Sequence, residues 1–447
     1  MYRFISRRGS MALCAATLLL CFWAFQAQAQ IEGITGTSPN PVFSFVAETA
    51  SIQTVTINLR NNLPAPAGNV SLVFPGHKVT ATGGVQGVLT REAEPGGVSV
   101  VTYTFTVDHP GSYQYHCGTR PDFMVEMGLA GAIIVRPLGY DFTDPDTYTA
   151  YGHEGSFYGH EELYFLTEMD PVIHNYVEAG QYDSVNTNDY FEVMWFINGR
   201  NFPDVMTDAG VPWLPNQPYN CQPKMRAGDK FLIRLINAGR DGHPMHYHGN
   251  DFTVIAINGR MLESAPGNGP DLGWKATTFT IEPGQTADLI WTWSGKELFP
   301  QRYRYFRAII WRAAFATPDL DPIREVVKMR YLGGNAFGLL RGQEGTTIRP
   351  WAAGSRLALT DHGKPFPVII PPRDDLSFGQ FYHGSPFMGA EGVLPPSHPA
   401  LNANGGFFYM WHSHTEKELT NNDIWPGGYV TFMIVEPPNV AMEMPVN

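Results

Sequence analysis

The feature that most constrains the fold of this chain is a long succession of short apolar or alternating segments separated by turns. Residues 54–59, 100–107, 131–135 and 230–236 are examples. Alternation of apolar and polar residues over four to eight positions is typical of a β-strand with one buried face. Charged residues make up only 16% of the chain, which disfavours long solvated helices. We therefore predict an all-β protein built from sandwiches.

The strand segments fall into three units, in keeping with a chain of 447 residues that is too long for one core. The first unit spans residues 38–137, the second 161–300 and the third 356–440. Residues 301–355 mix basic and aromatic residues with glycine, and we interpret them as a linker or an insertion. The sequence thus predicts three sandwiches in tandem.

The N-terminus has the composition of a secretory signal peptide. Three arginines among the first eight residues precede an apolar run at residues 11–25, and Ala-Gln-Ala at residues 27–29 fits a cleavage site. We expect residues 1–29 to be removed, with cleavage near Ala29. The mature protein is then periplasmic or secreted. The general and the twin-arginine export routes both stay open.

Charge and cysteine content narrow the possible partners. The net charge is -12 and no basic groove is visible, so nucleic acid is not an expected partner. No apolar run beyond the N-terminal one is long enough to span a bilayer. Cys117 and Cys221 remain after signal cleavage, and a disulfide between them is one alternative. Association into homo-oligomers stays open.

Two histidine pairs are the strongest chemical feature of the sequence. His243, His246 and His248 fall within six residues, and His412 and His414 repeat the spacing of the second and third. Residues two apart on a β-strand point to the same side. Imidazole is the commonest metal ligand in proteins and suits copper, zinc, iron and nickel. We therefore predict that the two pairs meet around one metal site.

The surroundings of these pairs resemble the motifs of a known family. Residues 234–249, which end in His-Pro-Met-His-Tyr-His-Gly, are similar to the copper motif of multicopper oxidases, the laccase-like proteins made of cupredoxin domains. Residues 411–418 resemble the last copper motif of that family. Residues 94–135 resemble its first domain and also the first domain of copper nitrite reductases. The resemblance implies tandem cupredoxin-like Greek-key β-sandwiches, copper, and a small-molecule or metal-ion substrate with O2.

The last motif departs from the family at two positions. A blue type 1 copper needs a cysteine thiolate, two histidines and usually an axial methionine. Ser413 stands at the cysteine position, and Glu418 stands at the later histidine position. A serine hydroxyl supplies no thiolate. The resemblance therefore implies that this type 1 site is degenerate.

The first domain departs as well. Cys117 follows His116 as it does in nitrite reductases, but Met124 and Leu129 stand where the second histidine and the axial methionine are expected. Cys117 is thus either a copper ligand or the partner of Cys221. His116 is the one histidine of this domain that matches the family's cluster ligands closely enough to be retained as a candidate.

Six histidines are the candidate metal ligands: His246, His248, His412, His414, His243 and His116. We interpret the chain as an exported copper-binding protein that resembles multicopper oxidases. We expect it to be an oxidoreductase that uses His-bound copper, with degenerate type 1 sites. A non-catalytic periplasmic protein that binds or sequesters copper is one alternative. A structural or partner-binding cupredoxin-like protein without metal is another.

Overall fold

The computed structural model describes residues 29–32, 43–46, 53–226, 229–293, 306–316, 318–333, 336–358 and 407–436. Strands dominate these residues, and the two α-helices among them are short: α1 (Pro121–Met124) and α2 (Pro171–Glu178). Short 3-10 helices lie at Ala65–Ala67, Pro145–Thr147, Glu154–Ser156, Tyr182–Ser184, Thr187–Asp189, Asp204–Met206, Pro318–Leu320 and Glu416–Leu419. The signal peptide predicted at 1–29 lies almost wholly outside the described residues. No described helix has the length and apolar character needed to cross a membrane.

The first sandwich is formed by the N-terminal strands. They are β1 (Ala29–Glu32), β2 (Phe43–Val46), β3 (Gln53–Arg60), β4 (Leu72–Val73), β5 (Thr80–Gly83), β6 (Val85–Gln86), β7 (Arg91–Glu92), β8 (Val100–Val107), β9 (Gly111–Cys117) and β10 (Ala130–Arg136). One sheet has the order β1-β3-β8-β5 and the other β2-β10-β9-β4, with β6 paired to β7. Every second residue of β8 is buried, as the period-two pattern predicts.

The middle of the chain supplies ten further strands. They are β11 (His160–Met169), β12 (Met194–Ile197), β13 (Lys224–Arg226), β14 (Lys230–Asn237), β15 (His243–Tyr247), β16 (Phe252–Ile257), β17 (Arg260–Met261), β18 (Trp274–Ala276), β19 (Thr278–Ile281) and β20 (Thr286–Thr292). The remaining strands are β21 (Phe306–Trp311), β22 (Glu325–Gly333), β23 (Ala336–Gln343), β24 (Arg356–Ala358), β25 (Phe407–Ser413) and β26 (Val430–Glu436).

The second sandwich combines strands that are far apart in sequence. Its larger sheet has the order β12-β11-β14-β20-β16-β17, with β18 also paired to β16. The facing sheet has the order β13-β26-β25-β15-β19. The C-terminal strands therefore lie in the middle of a sheet whose other members come from residues 224–281. One apolar core, which includes Trp411, Tyr247 and Trp291, fills the space between the two sheets.

The three-sandwich count that we predicted is not confirmed. Within the described part of residues 356–440, β25 and β26 belong to the second sandwich instead of starting their own. The reason is that β25 pairs along both edges, with β26 on one side and β15 on the other, which satisfies its backbone groups within this sheet. Residues 359–406 of the predicted third unit lie outside the described residues.

The segment that we interpreted as a linker or an insertion contains an ordered sheet. Its strands have the order β23-β22-β21-β24. Ala308 and Val327 from this sheet are fully buried and join the core of the second sandwich. Residues 306–358 are thus an insertion between β20 and β25, and they pack against the sandwich that they interrupt.

A buried polar network joins the two sandwiches. Ser112 on β9 donates a hydrogen bond to Asp288 on β20 at 2.6 Å, and Arg234 on β14 donates to the Ser112 hydroxyl at 3.1 Å. Arg234 also pairs with Glu161 at 2.7 Å. Buried charges are stable only when they are paired and hydrogen-bonded. The network therefore fixes how β9 approaches the second sandwich.

Candidate metal centre

The register of two neighbouring strands decides where the histidines point. β15 and β25 are antiparallel, with Met245 opposite Ser413, His246 opposite His412 and Tyr247 opposite Trp411. Directly opposed residues of an antiparallel pair point to the same face of the sheet. His246 and His412 therefore share one face. The residues on either side of them in each strand point to the other face, into the core.

Three imidazoles converge on the outer face of this sheet. One ring nitrogen from each of His246, His248 and His412 lies within 4.8 Å of the others. The Nε2 atoms of His248 and His412 are 3.1 Å apart. His246 and His412 are buried, whereas His248 is half-buried. The two predicted histidine pairs thus do meet, and they do so within one sheet.

His414 is the fourth histidine on this face. Its backbone N–H donates to the carbonyl of Pro244 at 2.8 Å, which continues the ladder beyond the end of β25. Its ring centroid lies 5.0 Å from that of His246 and 5.6 Å from that of His412. The side chain is exposed. His414 therefore lies at the solvent side of the cluster.

Hydrogen bonds behind the rings orient two of the imidazoles. The Nδ1 atom of His412 lies 2.6 Å from the carbonyl oxygen of Ser413, and the Nδ1 atom of His246 lies 2.7 Å from the hydroxyl of Thr278. The Ser413 carbonyl can only accept, so Nδ1 of His412 carries the hydrogen and its Nε2 keeps the lone pair. The Thr278 hydroxyl can donate or accept, and it orients the ring of His246. Burial, reinforced by the neighbouring His414, lowers the pKa of His412. The neutral form, which metal binding requires, is thereby favoured.

His243, which we predicted as a candidate ligand, lies apart from the three grouped nitrogens. It lies on the face of β15 opposite to the cluster, because it is an odd number of residues from His246, and it is completely buried. Its Nε2 is 3.0 Å from a carboxylate oxygen of Glu168, and its Nδ1 is 3.1 Å from one of Glu418. Burial acts to lower the pKa of His243, but the two carboxylates outweigh it and raise the pKa to about 9. A protonated imidazole cannot bind a metal.

The structure does not bring His116 into the group of three nitrogens. His116 lies on β9 in the first sandwich, half-buried, with its Nδ1 2.9 Å from the carbonyl oxygen of Cys117. Cys117 and Cys221 are both free and buried, each in the core of its own sandwich. The disulfide alternative was therefore wrong. Cys117 packs in the same apolar core as Leu129, and a leucine side chain has no donor atom for a copper.

Thr278 and Glu168 are the residues around the histidines that sequence reasoning missed. Thr278 lies opposite His246 on β19, and Glu168 lies near the end of β11. Thr278 falls within the predicted second unit at 161–300, and the pairing of its strand with β15 was the missing information. No signal in the sequence marks Glu168.

The donor set fits copper. It consists of imidazole nitrogens from buried and half-buried side chains, with hydrogen-bond partners behind two of them. Imidazole suits copper as well as zinc, iron and nickel, and the choice among these metals depends on geometry and supply. The described part of the chain holds no carboxylate within this group of nitrogens. A zinc hydrolase site of the familiar two-histidine, one-carboxylate kind therefore does not match.

Two segments of the chain match known family models. Residues 23–139 and residues 192–293 each match a model described as multicopper oxidase. The iron transport multicopper oxidase fetC of Epichloe festucae is 27% identical over 244 residues, which cover 53% of this chain and 32% of fetC. The chain thus spans about a third of the length of this curated relative.

Solved structures of copper proteins match much of this chain at low sequence identity. The multicopper oxidase mgLAC is 16% identical with a TM-score of 0.47, covering 91% of this chain and 80% of mgLAC. The copper nitrite reductase from Nitrosomonas europaea is 17% identical with a TM-score of 0.38, covering 67% of this chain and 88% of that one. The order of the strands confirms the predicted all-β fold of sandwiches. Residues 23–139 and 192–293 thus resemble multicopper oxidases, and this resemblance implies copper as the cofactor.

Proposed function

We propose that this protein is an exported oxidoreductase of multicopper oxidase type that holds copper on His246, His248 and His412. The observation that carries the proposal is the strand register that sets His246 opposite His412 and gathers three imidazole nitrogens within 4.8 Å. Because the two strands are neighbours in one sheet, the group is already organised by the fold. A site of this kind needs little rearrangement to bind an ion.

Copper would supply one-electron redox chemistry and, with a coordination position left open, a place for a small molecule to react. The protein's own residues do the rest. Thr278 and the Ser413 carbonyl hold two rings in place, and the buried indole of Trp411 donates to the carbonyl of His248 at 3.2 Å. His414, on the exposed side, is the residue that an incoming substrate meets first.

The proposed substrate is a small molecule or a metal ion, with O2 as the electron acceptor. The curated protein fetC, to which this chain is similar, is named an iron transport multicopper oxidase, so reduced iron is the first substrate to try. Phenols are the second substrate to try.

Export is proposed from the arginines, the apolar run and the Ala-Gln-Ala site within residues 1–29. N-terminal sequencing of the exported protein, beginning at residue 30 if the proposal is right, tests it.

A second candidate function is copper binding or sequestration without turnover. The observation that favours it is the state of the type 1 position. Ser413 supplies no thiolate, and His243 is held between Glu168 and Glu418. The usual route by which electrons reach a histidine copper cluster in this family is therefore absent. This candidate predicts bound copper together with no oxidation of iron or phenols.

Copper content and O2 consumption together test these functions. Wild type is compared with the double variant His246→Ala, His412→Ala, and with His109→Ala, which changes an exposed histidine of the first sandwich. We expect wild type and the control to bind copper with the same stoichiometry, and the double variant to lose most of it. Copper bound equally by the double variant would refute the site. Bound copper without O2 uptake would select sequestration, and no copper in wild type would leave the metal-free alternative.

A further inference from the structure

Three buried side chains meet at the position where a type 1 copper would need its ligands. Glu168, His243 and Glu418 are 5%, 0% and 6% exposed. The imidazole lies between the two carboxylates, which it meets at 3.0 and 3.1 Å. One carboxylate faces each ring nitrogen, so no single point is reached by all three side chains. The geometry is that of an ion-paired imidazolium and not of a metal site.

Glu168 ties the imidazole to the turn that precedes β15. Its second carboxylate oxygen accepts hydrogen bonds from the backbone N–H groups of Arg240 and Asp241, the latter at 3.1 Å. Hydrogen bonds to a charged acceptor are about twice as strong as neutral ones. Glu168 therefore fixes the path of the chain where it enters the strand that carries His246.

Glu418 ties the same imidazole to the segment that follows β25. It lies in the 3-10 helix Glu416–Leu419, and its backbone carbonyl accepts a hydrogen bond from Tyr429 at 2.7 Å, just before β26. Gly428 permits this close approach. It has a φ of +62°, and a Cβ atom there would lie 1.9 Å from the Glu418 carbonyl oxygen. The return of the chain to the sheet is thus fixed at Glu418.

We propose that Glu168, His243 and Glu418 form a metal-free lock that holds β15 and β25 in the register on which the histidine cluster depends. The three are positioning residues, because none of them lies among the grouped nitrogens. The role in metal binding rests on the proposed function, whereas the role in holding the two strands does not. Where the family resemblance implies a copper, this chain places an imidazole between two carboxylates.

The physical reason for the lock is the cost of breaking it. Charge attraction between the imidazolium and two carboxylates offsets the burial of all three groups. Removal of the imidazole would leave two buried carboxylates with no cation between them, and one partner lost from a buried ion pair is strongly destabilising. Replacement of only Glu418 destabilises the protein less, because the ion pair between His243 and Glu168 survives.

The test compares Glu418→Gln and His243→Gln with Glu416→Gln, which changes an exposed carboxylate of the same 3-10 helix. Hydrogen exchange is measured for the amides of β15 and of residues 412–419. We expect Glu418→Gln to speed exchange in both segments by roughly tenfold or more, because the local free energy of opening falls. His243→Gln should have a larger effect and Glu416→Gln none. Unchanged exchange in Glu418→Gln would overturn the lock.

Copper then separates a positioning role from a ligand role. We expect both Glu418→Gln and His243→Gln to keep the wild-type copper stoichiometry, with copper affinity reduced by roughly tenfold or more and an altered hyperfine splitting in the paramagnetic resonance spectrum. Loss of one copper per chain in His243→Gln would make His243 a ligand and overturn the proposal. If wild type binds no copper, the proposed function fails, and hydrogen exchange alone decides on the lock.

Discussion

His246 lies directly opposite His412 across an antiparallel strand pair, although the two strands come from distant parts of the chain. This pairing aligns two histidine pairs along one face of the sheet. A shift of one residue in the register would move one pair to the opposite face, because side chains alternate along a strand. The metal centre is therefore a property of strand register, and what holds that register also controls the site.

Thr278 should be needed for tight metal binding. In Thr278→Val the hydroxyl 2.7 Å from the Nδ1 atom of His246 is lost, so the ring is no longer oriented. Loss of such a partner lowers metal affinity by about 10–100-fold. Competition with a chelator of known affinity measures the change. Thr280→Val is the matched control, since Thr280 lies on the same strand opposite Pro244, and an equal loss there would contradict the assignment.

Copper-loaded wild type should lack an intense blue absorption band. That band requires a thiolate ligand, and Ser413 and Glu418 replace the cysteine and a histidine of the type 1 set. Ser413→Cys combined with Glu418→His restores the donor types around His243 and should produce the band. Visible spectra test both statements. Cys117→Ala is the control in wild type: a blue band that disappears in this variant would instead assign a type 1 copper to Cys117.

The stability of the protein should fall as the pH rises from about 6.5 to about 9. Glu168 and Glu418 raise the pKa of His243 to about 9, above a value of about 6.5 in the unfolded chain. The folded state thus keeps a proton that the unfolded state releases. The stabilisation is complete below pH 6.5 and is lost as the pH passes 9, by about 3 kcal/mol in total. Urea unfolding of the metal-free protein across this range measures it. Glu418→Gln should reduce the slope, and an identical slope would contradict this origin.

Replacement of Arg234 should destabilise the joint between the sandwiches. Arg234 is 2% exposed and faces Glu161 at 2.7 Å and Asp288 at 3.7 Å. Arg234→Met leaves these buried carboxylates without this cation, which costs about 3–5 kcal/mol. Urea unfolding measures the loss. Arg260→Met, at an exposed arginine, should change the free energy of unfolding by less than about 0.5 kcal/mol. A similar effect of both variants would rule out the network as the cause.

Much of the candidate site could be predicted from local sequence. The spacing of His246 and His248, and that of His412 and His414, predicts two pairs that each face one way, because alternation is a local property of strands. The same rule, applied one step further, separates His243 from the cluster, since it is an odd number of residues from His246. The prediction that included His243 as a ligand followed the family resemblance instead of this rule.

The parts that sequence could not give are the long-range pairings. His248 and His412 are 164 positions apart, and nothing near either of them marks the other as its neighbour. The expected third sandwich followed from treating neighbouring segments of the chain as neighbours in space. The insertion at 306–358 breaks that assumption. The chain leaves the second sandwich, forms another sheet, and then returns with β25 and β26 to complete the second sandwich.

The sequence by itself determined that this chain forms β-sandwiches and that it carries two histidine pairs of metal-binding spacing. Both depend on alternation within a single strand, which the order of residues states directly. Only the tertiary structure decided that the pairs meet in one sheet, that Thr278 supports the cluster, and that two carboxylates hold His243. These depend on which strands pair and in what register, and packing of the whole core selects that arrangement.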